Sequence, residues 1–312
     1  LGNVRVKMFN GVSWNDVGDM TSSNLANTIN SGWSLNGTKG DFIDLEVDNN
    51  NTLYMSLVND IYVPYVLMLD STQSWVNTTA NEVVLSNYTI YNSLPFDFDS
   101  CSINYANNIG YYQALGNTRM TKIRFDSNND LYLAIRSGFE TGSFDAAAVH
   151  LMKYSNSTWF SPIASISLSE NENIHDAFSL EIDTNDNPYI MYEDGILNIY
   201  IKKYENNDLT DITTEGLEYS YGTGGLNSAG NNYGRHSVLK INSENQLILG
   251  NQNVYYLSDS LWERLDTDGY DMFYPRLSTV GFSMAIDDDD KVYVNCQHYV
   301  NNGMGIAYYD PF

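Results

Sequence analysis

One interval recurs along the chain and limits what it can fold into. In 42–54, FIDLEVDNNNTLY, an alternating stretch ends at Asp48, a polar turn follows, and Tyr54 opens the next stretch six positions on. The same interval separates Asp126 from Tyr132 in TKIRFDSNNDLY, Asp183 from Tyr189 in SLEIDTNDNPY and Asp287 from Tyr293 in SMAIDDDDKVY. It also separates Asn242 from Ile248 in VLKINSENQLI, where the residues change and the spacing does not. Alternation with period two on both sides of an Asp/Asn-rich turn is the pattern of a β-hairpin. A fixed interval repeated along a chain is the pattern of a repeat fold.

A second phrase alternates with the first. It is an alternating strand, a short polar turn and a Trp: 4–14 reads VRVKMFNGVSW, 63–75 VPYVLMLDSTQSW, 149–159 VHLMKYSNSTW and 254–262 VYYLSDSLW. In 198–209, NIYIKKYENNDL, Leu209 takes the place of the Trp. The step from the anchor to the Trp is five residues for Phe9–Trp14, Tyr154–Trp159 and Leu257–Trp262, and six for Leu69–Trp75.

Each full unit therefore holds four strands, designated A and B for the first phrase and C and D for the second. No long segment has helical periodicity. A four-stranded antiparallel sheet cannot bury both of its faces alone, and radial packing of such sheets solves this by covering each with its neighbours. The predicted fold is an all-β, single-domain β-propeller over residues 1–312, with a long insertion at about 78–120. The Trp of strand D and the Tyr of strand B are expected to pack between blades. Five A–B pairs predict five blades. Six C-like strands, counting GIAYY at 305–309, and a Tyr105–Tyr111 pair in SINYANNIGYYQA keep a sixth, partial blade open. The N-terminal C and D strands are expected to join the blade begun by the C-terminal A and B strands and so close the ring.

The repeat resembles the propeller repeats of secreted and surface proteins of Bacteroidetes-type bacteria. The likeness lies in KMFNGVSWNDVG, KYSNSTWFSPI, LEVDNNNTLYMSL and LEIDTNDNPYIMY, and covers most of the chain outside the insertion. It implies an architecture and an extracellular or cell-surface location, with outer membrane or periplasm as the alternative. It does not imply an activity, because propellers host many.

Composition removes some function classes. Lys and Arg total 15 against 39 Asp and Glu, a net charge of −24. A nucleic-acid reader needs a basic footprint, which is absent, and anionic membrane surfaces are disfavoured for the same reason. No apolar run reaches the length of a membrane span. Cys101 and Cys296 are far apart in sequence and are expected to be separate thiols. No Cys/His set has zinc spacing.

The acidic turns DNNNT, DSNND, DTNDN and DDDDK present oxygen ligands of the kind calcium takes, with Asp287–Asp290 the best single candidate. They lack the complete calcium-loop pattern, and Asn and Asp also supply the left-handed backbone that tight hairpins need. No cofactor is expected, with calcium the one alternative. GTGGLNSAG at 222–230 lacks the ending of a phosphate loop, and no G-x-S-x-G elbow is present.

The D-to-A connections, roughly 18–41, 78–120, 164–176, 214–235 and 267–281, are long and unequal. Variable loops on a repeated scaffold are where binding concentrates. The expected ligand-binding set is Trp33, His175, Asp176, Tyr219, Tyr221, Tyr233, Arg235, His236, Tyr274 and Arg276. Aromatic rings beside polar groups suit sugars, whose apolar faces stack while their hydroxyls hydrogen-bond. The leading expectation is a glycan-binding propeller. A glycoside hydrolase or lyase is the enzymatic alternative, which would need two carboxylates flanking the scissile bond. Its candidates are Asp41, Asp145, Asp176, Glu193, Asp194, Glu218, Asp268 and Asp271. A protein-interaction module is the third reading. His150 is expected to be structural.

Overall fold

The computed structural model describes residues 6–18, 43–58, 64–78, 120–137, 148–160, 163–167, 177–193, 199–213, 237–250, 254–265, 282–298 and 303–309. They fall into two compact units, 1–170 and 171–312. Every regular element among them is a β-strand, and every strand pairing is antiparallel. No helix among the described residues is long and apolar enough to cross a membrane, which leaves β-barrels unaddressed.

In the first unit, β1 (Lys7–Phe9) and β2 (Trp14–Asp16) form a hairpin of their own. The next sheet runs β3 (Asp44–Val47), β4 (Leu53–Val58), β5 (Pro64–Leu69) and β6 (Trp75–Asn77) in sequence order. The third is β7 (Met120–Phe125), β8 (Leu131–Ser137) and β9 (Ala148–Ser155), with its outer place shared by β10 (Thr158–Trp159) and β11 (Ala164–Ser167), both paired to β9. The second unit holds β12 (Phe178–Ile182), β13 (Pro188–Glu193), β14 (Ile199–Glu205) and β15 (Asp208–Ile212) as one sheet. The next is β16 (Val238–Ile241), β17 (Leu247–Gly250), β18 (Val254–Ser258) and β19 (Leu261–Arg264). The last is β20 (Phe282–Ile286), β21 (Val292–His298) and β22 (Gly303–Tyr309).

The expected A-to-D order is therefore met in four sheets. In the last sheet β22 holds the C place beside β21, with Cys296 opposite Gly305. The N-terminal strands pair with each other as C and D strands should, but the C place they were expected to fill in that sheet is held by β22.

The anchor-to-Trp step is a cross-strand pair. Phe9 lies opposite Trp14, Tyr154 opposite Trp159, Leu257 opposite Trp262 and Tyr204 opposite Leu209. The rings of Tyr154 and Trp159 are 5.0 Å apart and those of Phe9 and Trp14 5.4 Å, both tilted. The turns between them place two residues at positive φ: Asn156 and Ser157, Asn206 and Asn207, Asp259 and Ser260. That is the two-residue hairpin whose twist matches the flanking strands. Leu69–Trp75 is one residue longer because Asp70 builds a larger turn, its Oδ1 accepting from the backbone N–H of Thr72 and Ser74 at 2.8 and 2.9 Å.

The core lies between sheets. Tyr54 and Val66 of one sheet pack with Ile123, Leu133 and Trp159 of the next. Tyr189, Met191 and Ile201 pack with Leu239, Leu249 and Trp262 in the same way. Trp262 also donates its indole N–H to the Thr213 carbonyl at 2.7 Å. Tyr54 and Tyr189 of B strands and Trp75, Trp159 and Trp262 of D strands thus pack between sheets as expected, whereas Trp14 and Tyr293 are exposed and depart from that expectation. Side chains from A strands add polar links. Asp44 accepts from the Ile123 N–H at 3.0 Å, and Ser179 Oγ from the Leu239 N–H at 3.1 Å. Two residues before each turn, Glu46 meets Arg124 at 3.2 Å and Glu181 meets Lys240 at 2.7 Å.

Candidate functional site

The acidic A–B turns are the first candidates, and their geometry shows what the carboxylates do. Asp48 Oδ1 accepts from the backbone N–H of Asn50 at 2.8 Å and of Thr52 at 2.7 Å. Asp126 repeats this with Asn128 and Asp130, Asp183 with Asn185 and Asn187, and Asp287 with Asp289 and Lys291. Asn242 does the same with Glu244 and Gln246. The residue three after each acceptor, namely Asn51, Asn129, Asp186, Asn245 and Asp290, has φ between 61° and 65°. Asn and Asp tolerate that left-handed conformation better than other non-glycine residues.

The Asp-to-Tyr interval has its cause here too. The hydroxyl of Tyr293 donates to Asp287 Oδ2 at 2.9 Å, and that of Tyr189 to Asp183 Oδ2 at 3.4 Å. In the second full sheet Lys153 Nζ lies between the two partners, 3.1 Å from the Tyr132 hydroxyl and 3.4 Å from Asp126 Oδ2. Burial and then the Asp48 carboxylate push the Tyr54 hydroxyl up to about 12. The Lys153 ammonium is drawn down by burial but raised overall by its bonds to Asp130 and Tyr132, so it stays charged.

The same turns join neighbouring hairpins. Asn129 Oδ1 accepts from the Asn49 N–H at 2.8 Å, Asn245 Oδ1 from the Thr184 N–H at 2.7 Å and Asp290 Oδ1 from the Ser243 N–H at 2.9 Å. Asp290 Oδ2 also accepts from Ser243 Oγ at 2.6 Å. Both oxygens of Asp287 and of Asp290, the sequence's best cation candidates, are thus hydrogen-bonded within the fold. Among the described residues no group of three His, Cys, Asp or Glu side chains is placed to hold a metal ion.

The opposite end of each sheet carries the B-to-C and D-to-A connections. Trp33, His175, Asp176, Tyr219, Tyr221, Tyr233, Arg235, His236, Tyr274 and Arg276 all lie outside the described residues, as do Asp41, Asp145, Asp194, Glu218, Asp268 and Asp271. So does Cys101, along with the side chains of Glu193, Cys296 and His298. The described strands deliver the chain to those connections, and two buried ionisable groups sit where they do so. His150, near the start of β9, is buried, and burial pulls its imidazole down to about 4, so it is neutral. Arg136, near the end of β8, is a fully buried guanidinium, and the 138–147 connection begins two residues later. Sequence reasoning had no reason to single it out, since one Arg near a strand end is ordinary. Burying a charge is costly, which makes the position functional or specially compensated.

No known family profile matches the sequence, and no curated protein matches it. Among solved structures, the chain is similar to a fungal lectin from Aleuria aurantia, described as a six-bladed β-propeller with a novel fucose recognition mode. The TM-score is 0.55 at 8% identity, covering 99% of this chain and 84% of the lectin. An endo-arabinase from Bacteroides thetaiotaomicron aligns with TM-score 0.41 and 11% identity over 90% of this chain and 98% of its own. An exo-1,5-α-L-arabinanase from a bovine ruminal metagenomic library gives 0.39 and 10% over 89% and 95%. The last two scores are too low to carry an argument. The likeness to the lectin joins the four-stranded antiparallel sheets and the packing between them, and together they establish the fold as a β-propeller.

Proposed function

We propose that the chain is a secreted or cell-surface propeller that binds a glycan at the end of its sheets bearing the D-to-A connections. One observation carries the reading: the acidic A–B turns are consumed by hydrogen bonds that build hairpins and join sheets. That moves recognition to the other end, where connections of unequal length carry Trp33, Tyr219, Tyr221, Tyr233, Tyr274, Arg235 and Arg276. Aromatic faces for stacking and polar groups for hydroxyls are what a sugar site needs. The fucose recognition described for a lectin of the same fold is a precedent for such a site. The five A–B hairpins support a reading of five blades, and the separate β1–β2 hairpin keeps a sixth, partial blade as the alternative.

A glycan array probed with the purified chain tests this. Binding to one glycan class, lost in Trp33→Ala or Tyr221→Ala with unchanged melting, is the expected result. Absence of binding across broad classes refutes it. Release of sugar from a bound glycan would instead assign the hydrolase or lyase reading, and capture of a host protein without any glycan binding the interaction-module reading.

A further inference from the structure

The β1–β2 turn departs from its counterparts in one chemical respect. The equivalent hairpins place Asn156, Asn206 and Asp259 at the first central turn position, after Ser155, Glu205 and Ser258. Here that position is Gly11, at φ +93, and the residue before it is Asn10. Glycine adopts the positive φ without strain. It also leaves the backbone nitrogen that follows an Asn amide with no side chain beside it. Both residues are exposed, and a Cβ added to Gly11 would meet nothing within 4 Å.

The Asn10 side chain is folded over that nitrogen. Its Oδ1 accepts from the Val12 N–H at 3.0 Å and the Ser13 N–H at 2.9 Å, while its own backbone N–H donates to the Ser13 carbonyl at 3.1 Å. The Gly11 N–H takes no part in these bonds. Two donors on one carbonyl oxygen stabilise negative charge that builds up on it. Asn242 makes bonds of the same kind with Glu244 and Gln246, but it is buried and Ser243 follows it.

We propose that Asn10–Gly11 is a site of self-modification, at which the Gly11 nitrogen displaces the Asn10 side-chain amide as ammonia. Water takes the Gly11 N–H proton as the nitrogen bonds to Asn10 Cγ, and Oδ1 carries the charge beneath the Val12 and Ser13 N–H groups. The Cγ–Nδ2 bond then breaks, and Nδ2 leaves with a proton from water. Water opens the resulting five-membered imide at either of its two carbonyls. One opening leaves an aspartyl residue, the other an isoaspartyl residue. The net change is one water consumed and one ammonia released, with nothing oxidised or reduced. The two products act differently on the hairpin. An aspartyl residue keeps the Oδ1 acceptor and charges it, as Asp70 does in its own turn, which strengthens bonds from N–H groups. An isoaspartyl residue lengthens the main chain by one carbon and disturbs the Phe9–Trp14 register. None of this rests on the glycan reading.

The test is to incubate the intact chain at mildly alkaline pH and map the product by peptide mass spectrometry. Position 10 is expected to change from amide to acid, as a mixture of aspartyl and isoaspartyl forms, with ammonia released. Its rate should equal or exceed that of a free peptide of residues 6–17, while Asn242 stays an amide. Gly11→Ala should slow conversion by about tenfold or more, since a side chain crowds the attacking nitrogen and shifts its approach. Asn10→Gln should stop it, because the ring to be closed would have six members; this variant leaves Gly11 in place and so serves where Gly11→Ala disturbs the turn. An intact chain that converts several times more slowly than the peptide overturns the proposal, because the turn would then protect the amide. So does an unchanged rate in Gly11→Ala, or conversion confined to Asn36 or Asn302, the other two asparagines that precede a glycine.

Discussion

Asp183 offers a direct test of what the acidic turns are for. It is buried, and its Oδ1 accepts from the N–H groups of Asn185 and Asn187 at 2.9 and 2.8 Å. Its Oδ2 accepts from Asn187 Nδ2 at 3.0 Å and from the Tyr189 hydroxyl at 3.4 Å. Asp183→Ala removes every one of these acceptors. Each bond to a charged group contributes about 1.5–3 kcal/mol net, but the turn is partly open to water, which recovers some of it. The expected loss is about 3 kcal/mol, a large share of the roughly 5–15 kcal/mol that holds a domain together. Asp183→Asn keeps the Oδ1 acceptor, the group with which Asn242 holds its own turn while its Nδ2 donates to Gln246 Oε1 at 3.5 Å. Its cost should stay below about 1 kcal/mol, the net value of an ordinary hydrogen bond. Urea unfolding of both variants, with an unchanged slope, reads the difference. Calcium adds a control: a site in the turns saturated 100-fold above its Kd would add about 2.7 kcal/mol. Equal losses in the two variants, or a calcium-dependent gain that Asp183→Asn abolishes, would refute a purely structural role.

Further perturbations follow from the same geometry. Gly18→Ala puts a Cβ 2.5 Å from the Trp75 indole nitrogen and 2.7 Å from Leu69 Cδ1, at a φ of +69°; it should cost about 1–3 kcal/mol, as overpacking does, with a shift in tryptophan fluorescence. Trp262→Ala removes a buried ring and the donor to Thr213, and should cost about 3–5 kcal/mol in thermal melting, beyond Trp262→Phe, which loses the hydrogen bond but keeps an aromatic ring. His150 is held neutral down to about 4 by burial, against 6.5 when unfolded. The unfolded chain therefore takes up the proton first, and stability should fall as pH drops from 6.5 towards 4, by roughly 3 kcal/mol at about 1.4 per pH unit; His150→Gln should flatten that slope in urea titrations. For Asp287 the rise from burial is outweighed by hydrogen bonds from the Lys291 N–H, the Tyr293 hydroxyl and the Asp289 N–H, so its carboxyl is lowered from 3.8. Its contribution is complete above 3.8 and lost as pH falls through the folded value, and Asp287→Asn should remove that acid-side loss.

The hairpins were legible because their cause is local. A turn Asp or Asn needs only its own Oδ1 and two N–H groups ahead of it, so the copy at Asn242–Ile248 keeps the interval without the acid or the tyrosine. Cross-strand pairing fixes the anchor-to-Trp step in the same local way, and the longer Leu69–Trp75 step marks the different turn at Asp70. Burial is another matter, because it depends on which sheet lies alongside. Trp14 has the same local context as Trp75, Trp159 and Trp262, yet it is 65% exposed while those three are buried. No pattern within VRVKMFNGVSW distinguishes it. The divided strand β10–β11 was equally hidden, since nothing in KYSNSTWFSPI announces a second strand returning to β9.

The same division bears on where function resides. Residues that build the repeat must recur, because each turn and each Trp solves the same packing problem in every sheet. A binding residue has no reason to recur when only one place on the scaffold binds. Repetition therefore singles out Asp48, Asp126, Asp183 and Asp287, and each of them is a structural acceptor. The unrepeated residues include Trp33, Tyr221 and Arg235 in the connections, and Arg136 buried just before one of them. In a repeat fold, departure from the repeat is the better guide to chemistry. By that criterion the end of the sheets opposite the acidic turns is where ligand recognition should be sought.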